Sequence, residues 1–164
     1  MLETTDALYT DKEFWSKGIG IVTPHRAQQS KLTNRLISLF ANGDGELQTA
    51  IIQCVDTVER FQGQQRDIIF VSFALGDIDM IGQEEEFIMN LNRFNVMISR
   101  ARAKVIVFLS EELAYYLAND IDVLKNSRLL STFANTYCGN KMDLTLGYIH
   151  DEEKKEIAGL LKYD

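Results

Sequence analysis

The sequence predicts an α/β fold with a mostly parallel sheet and helices on both of its faces. Two observations carry that reading. Short apolar runs at 19–23, 51–55, 67–74 and 105–109 alternate with stretches whose apolar residues recur at the helical period. One of them, Asp67-Ile68-Ile69-Phe70-Val71-Ser72-Phe73-Ala74, is apolar almost throughout, the mark of a strand covered on both sides and hence of a parallel sheet. With 164 residues, 46% of them hydrophobic, the chain has material for one domain with a sizeable core, and 1–164 is read as that single domain.

Taken in order, residues 1–18 are weakly periodic, with a short helix expected at 11–17 and Phe14 and Trp15 as anchors. Ile19-Gly20-Ile21-Val22-Thr23 reads as a buried strand, stopped by Pro24, whose missing N–H cannot serve a central ladder. A helix follows over 26–40, with Leu32, Leu36, Leu39 and Phe40 on one side, and Asn42-Gly43-Asp44-Gly45 ends it. Residues 51–55 read as the second strand, Asp56-Thr57 as the cap of a short turn, and 67–74 as the third strand. The five acids of 76–86 read as a solvated loop. After a helix over 92–102 and a strand at 105–109, helices are expected at 110–117 and 123–137, a short edge strand at 144–149, and a charged amphipathic helix at 151–162.

Composition narrows the function. Seventeen bases against 24 acids, a net charge of −7, argue against a free-standing, non-specific nucleic-acid binder, which carries a basic footprint. Two cysteines, Cys54 and Cys138, and two histidines give neither a disulfide framework nor a structural zinc site, so a reducing, cytoplasmic setting is expected, with Cys54 a small core residue. No secretory signal or run of eighteen apolar residues is present, so no membrane partner is expected.

Against this acidic background one stretch is basic. Asn92-Arg93-Phe94-Asn95-Val96-Met97-Ile98-Ser99-Arg100-Ala101-Arg102 and the following Lys104 hold four cations and no acid. On a helix, Phe94, Met97, Ile98 and Ala101 make an apolar stripe, with Arg93 and Arg100 together on one flank. Guanidinium groups fixed at the margin of a buried helix suit phosphate oxygens. Cations merely complementing a helix dipole give the plainer alternative, at up to ~1 kcal/mol. Thr23 to Gln28, Asp56 to Asp67 and this helix are expected to converge at the carboxyl ends of the strands, where such sheets bind ligands.

Three segments in order resemble the second RecA-like domain of superfamily 1 helicases, in the branch of the nonsense-mediated-decay RNA helicases and related DNA helicases. Gly20-Ile21-Val22-Thr23-Pro24-His25-Arg26-Ala27-Gln28 looks like motif IV, and Val55-Asp56-Thr57-Val58-Glu59-Arg60-Phe61-Gln62-Gly63-Gln64-Gln65-Arg66-Asp67 looks like motif V. The arginine stretch looks like motif VI, and the resemblance runs over about 18–109, with a helical extension expected over about 111–164.

The resemblance implies a RecA-like fold of the phosphate-loop NTPase type and carries roles to particular positions. Arg100 is implied as the arginine finger toward the γ-phosphate of ATP, with Gly63, Gln65 and Arg102 as further nucleotide contacts. Arg93 and Arg102 are expected to pair with acids and hold the helix, and Arg66 and Asp67 to pair with each other. Gln65 stands where the family has glutamate and lacks its charge. Thr23, Pro24, His25, Thr57 and Arg60 match positions that meet single-stranded RNA or DNA, with Gln28 and Gln62 as hydrogen-bonding neighbours. There is no Gly-x-x-x-x-Gly-Lys-Ser/Thr loop and no acidic pair at a strand end, so ATP and Mg²⁺ are expected to be held mainly by a separate N-terminal RecA-like domain. The expected function is the C-terminal motor domain of an ATP-dependent helicase or translocase, inactive as an isolated piece. The alternative is a helicase-derived scaffold or nucleic-acid-binding module that no longer hydrolyses ATP.

Overall fold

The structure, a computed structural model, describes residues 8–61, 63–150 and 153–164. Gln62 lies outside them. Four strands, β1 (Ile19–Thr23), β2 (Val55–Thr57), β3 (Arg66–Ser72) and β4 (Ala101–Phe108), form an all-parallel sheet in the order β2-β1-β3-β4. Register is continuous along the central pair, from Ile19 opposite Ile68 to Val22 opposite Val71.

Alternation along these strands builds two apolar layers. On one face Trp15, Ile19, Leu47, Ile51 and Cys54 pack with Leu32, Leu36 and Phe40, bringing a short π-helical segment (Phe14–Gly18), α1 (Arg26–Phe40) and α2 (Gly45–Cys54) against the sheet. On the other, Val22, Ile69, Val71 and Phe73 meet side chains from α3 (Ile78–Gln83), α4 (Glu85–Ile88), α5 (Leu91–Ile98), α6 (Glu111–Ala114) and α7 (Ile121–Thr132). Helices thus cover both faces, as the fold class requires.

Several expected elements take another form. Residues 51–55, read as a strand, are mostly the end of α2. Leu47, Ala50, Ile51 and Cys54 are buried at helical spacing, Ile52 points out, and Asp44 caps the helix by accepting from the Glu46 and Leu47 amides. The acidic loop is two short helices: Asp77 accepts from the Asp79 and Met80 amides, and Ile81 and Ile88 are the buried anchors. The helix expected at 110–117 shrinks to α6, leaving Leu117 exposed.

The largest correction is at the carboxyl end. The expected helix at 151–162 is not formed over 153–162, while residues 151–152 lie outside the described residues; β5 (Asn140–His150) and β6 (Glu153–Tyr163) make an antiparallel hairpin. Ile157, Leu160 and Leu161 fit helical spacing, but in the hairpin Leu161 stands opposite Met142 and Ile157 opposite Leu146. Such cross-strand apolar pairs are the unit that stabilises a sheet, and they override a local period. The hairpin touches the α/β body through the Lys162 ammonium, which donates to the Ala134 carbonyl and lies over the Tyr115 ring. Among the described residues no helix is long and apolar enough to cross a membrane.

Candidate nucleotide and nucleic-acid interface

The expected site residues divide between opposite edges of the sheet. Thr23 ends β1 and stands in register with Thr57, which ends β2, so both lie at the carboxyl edge with Pro24, His25 and Arg60. Arg66 opens β3 and is paired with Ala101, which opens β4. Arg66, Arg100 and Arg102 therefore lie at the amino edge, and the expected convergence of all clusters at the carboxyl ends does not occur.

The reason is where the arginine helix ends. Helical bonding stops when the Ser99 amide donates to the Asn95 carbonyl, and the Arg100 carbonyl then accepts from the Arg66 amide at 3.1 Å, beginning the ladder to β3. Arg100 thus sits in the turn between α5 and β4, and Arg102 lies on β4. Arg93, in the first turn, faces the carboxyl edge. The shared flank for Arg93 and Arg100 is replaced by a helix about 12 Å long with Arg93 in its first turn and Arg100 beyond its last residue.

The three motif VI arginines differ in partners. Arg102 lies 3.5 Å from the Asp67 carboxylate, and Arg93 pairs with Glu59. Arg100 has no acid partner among the described residues, although its Nε–H is out of contact with water and donates to no neighbour among them. Such a group is costly to leave unmet.

Arg66 does not pair with Asp67. Its guanidinium donates to the Gln65 carbonyl and the Gln64 side-chain oxygen, each at 2.9 Å, and lies over the Phe61 ring. It is 9% exposed, and burial pulls its pKa below the ordinary value, with the Arg102 charge adding to the effect. Arg66 therefore braces the loop that carries Gly63 and Gln65. Gly63 has φ of +85° with open space where a Cβ would stand, and Gln65 is exposed. Sequence reasoning missed both this brace and Gly20, whose added Cβ would lie 2.5 Å from Phe61 and 2.9 Å from Arg66. The glycine inside an apolar strand was the available signal.

The carboxyl edge is tied together by amides. Gln28 accepts from the Thr23 hydroxyl and donates to the Ser72 hydroxyl at 2.7 Å, linking β1 to β3. Gln29 donates to the Val55 carbonyl and the Asp56 carboxylate, linking α1 to β2. Thr23 and Thr57 are buried, at 0% and 4% exposure, and Pro24 is buried as well. The reachable members are His25 and Arg60, the latter 3.6 Å from Asp56. The His25 ring stacks with Phe87 at 6.0 Å, and its Nε2 lies 3.3 Å from Glu84 without hydrogen-bond geometry. Among the described residues no group of three or more His, Cys, Asp or Glu is arranged around a metal position.

A parallel four-stranded sheet with helices on both faces is an α/β arrangement of the RecA-like class. The family model described as AAA domain matches residues 1–112, more than half the chain, and the chain belongs to that family. It is similar to the putative helicase mov-10-B.1 of Danio rerio, 33% identical over 154 residues, 87% of this chain and 13% of that protein. It is also similar to the probable RNA helicase armi of Drosophila melanogaster, 34% identical over 94 residues, 55% of this chain and 7% of that protein. The DNA replication ATP-dependent helicase/nuclease DNA2 of Homo sapiens is 36% identical over 89 residues, 54% of this chain and 7% of that protein. The chain thus spans a small fraction of the length of these relatives, and the matches place it among superfamily 1 helicase domains.

Proposed function

We propose that this chain is the C-terminal motor domain of an ATP-dependent helicase or translocase acting on single-stranded RNA or DNA. The carrying observation is Arg100, which alone among Arg93, Arg100 and Arg102 has no acid partner among the described residues. A guanidinium held at the sheet edge without a counter-charge suits an anion supplied from outside the domain, and phosphoryl transfer spreads negative charge over the γ-oxygens of ATP. ATP and Mg²⁺ sit mainly on a neighbouring N-terminal RecA-like domain, which supplies the phosphate cradle and the metal ligands.

In this reading Arg100 reaches the γ-phosphate, and Arg102, released from Asp67 on closure, stands behind it. Gly63 lets the backbone come close to the nucleotide, which its open surroundings support. Gln65 offers its amide to a sugar hydroxyl, and Arg66 keeps that loop in place. At the opposite edge His25 and Arg60 meet the strand, on a frame formed by Thr23, Pro24 and Thr57. Domain closure at one edge is thereby coupled through α5 to grip on the strand at the other.

The test is nucleic-acid-stimulated ATP hydrolysis by the protein that joins this chain to its N-terminal domain. Arg100→Ala is expected to lower kcat by about 10³-fold or more, as for other arginine fingers, with Arg102→Ala costing far less. Unchanged hydrolysis in Arg100→Ala removes the finger. An intact parent that hydrolyses no ATP with any strand supports instead the scaffold reading, which the uncharged Gln65 favours.

A further inference from the structure

The geometry points to a slot for an unpaired nucleobase beside the strand path at the carboxyl edge. A cleft of about 710 Å³ opens there, with His25, Glu84, Glu86, Phe87, Asn90 and Arg93 among its walls. Its floor is a stack: the Arg93 guanidinium lies 3.8 Å from the centre of the Phe87 ring, and the His25 ring stands nearly parallel to Phe87, at 26°. Each member is fixed from outside the cleft. Arg93 is paired with Glu59, Asn90 caps α5 by accepting from the Asn92 and Arg93 amides, and His25 stands two residues past the end of β1, after Pro24.

With the Arg93 guanidinium over Phe87 and His25 stacked against it, a planar ring entering this cleft lies on the outer side of that stack, the kind of platform on which single strands lay their bases. The rim decides which ring. Glu84 faces His25, and Glu85 accepts from the Tyr116 hydroxyl at 2.8 Å and the Asn119 amide at 3.3 Å. Glu86 has no partner among the described residues and is exposed. Carboxylates repel phosphate and accept from N–H groups. The amino and ring N–H groups of guanine form such a donor edge, and adenine and cytosine offer one amino group each. Uracil and thymine flank their single N–H with two carbonyls, which a carboxylate repels. The slot therefore takes a base with a donor edge, guanine foremost, while Arg60 and the strand-end loops track the backbone.

This inference rests on the strand-binding part of the proposed function, and the experiment separates the two. The 164-residue chain is titrated at low ionic strength with a single-stranded oligonucleotide carrying one fluorescent 2-aminopurine, and with a matched strand abasic at that position. Stacking is expected to quench the fluorophore and to make the abasic strand bind about tenfold more weakly, within the range aromatic stacking gives per base. Phe87→Leu, which keeps apolar packing but removes the ring against which His25 and Arg93 are stacked, is expected to erase the difference between the two strands, and Phe87→Tyr to keep it. Glu86→Gln is expected to narrow the preference for guanine-containing strands over oligo-uridine. Strands that bind the wild type with no difference between intact and abasic forms, or a difference that survives Phe87→Leu, overturn the slot and leave strand binding standing. A wild type that binds no strand overturns the strand-binding reading and the slot with it.

Discussion

At the scale of the residue, the amino edge depends on close contacts that a single methyl group disturbs. Gly20 sits where Phe61, Arg66 and Ile69 cross the strand, and a Cβ there would lie under 3.0 Å from all three. Gly20→Ala is expected to cost about 1–3 kcal/mol of unfolding free energy, since Phe61 and Ile69 are fully buried and cannot give way. Urea denaturation measures it. Gly63→Ala meets no atom but must hold φ at +85°, a conformational cost of about 1 kcal/mol.

Cys54 makes a pH prediction. Burial pushes its thiol from an ordinary 9.0 up to about 12. The folded chain then keeps a proton that the unfolded chain releases, so this contribution is whole below pH 9 and is lost as pH rises from about 9 toward 12. Unfolding free energy followed over that window should fall more steeply in wild type than in Cys54→Ala. At pH 8 a thiol reagent should label the half-buried Cys138 and spare Cys54.

At the scale of the element, legibility followed how far one signal was free of competition. The strands at 19–23 and 67–74 and the helix at 26–40 were readable because apolar run, breaker and period agreed. Residues 51–55 misled because a buried helix end and a buried strand meet at Val55, and an apolar run cannot tell them apart. The acids of 76–86 hid two helices because charge was read as solvation, whereas Asp77 is a cap and Asp79 sits in a first turn. Residues 153–163 form a strand because pairing with 140–150, invisible to a local window, outweighs an amphipathic period. The caps are testable: Asp44→Ala is expected to cost about 1 kcal/mol by unbinding the Glu46 and Leu47 amides, measured by thermal unfolding.

At the scale of the whole molecule, the motifs gave the family and the fold class, but not which edge each site residue occupies. That depends on the direction of α5: Arg93 sits in its first turn and Arg100 beyond its last residue, and seven residues of helix span about 10 Å along the axis, so a shared flank does not mean a shared edge. The proposed function divides accordingly between the two edges, with the proposed nucleotide contact centred on Arg100 and the proposed strand contact on His25 and Arg60, and α5 between them.

The most direct test of that division measures strand affinity without nucleotide, and basal ATP turnover without strand, in the same three proteins: parent, Arg100→Ala and His25→Ala/Arg60→Ala. The account predicts that Arg100→Ala loses turnover by about 10³-fold or more while keeping its affinity for the strand, and that the double variant loses affinity while keeping basal turnover. Parallel loss of both activities in either variant would contradict it.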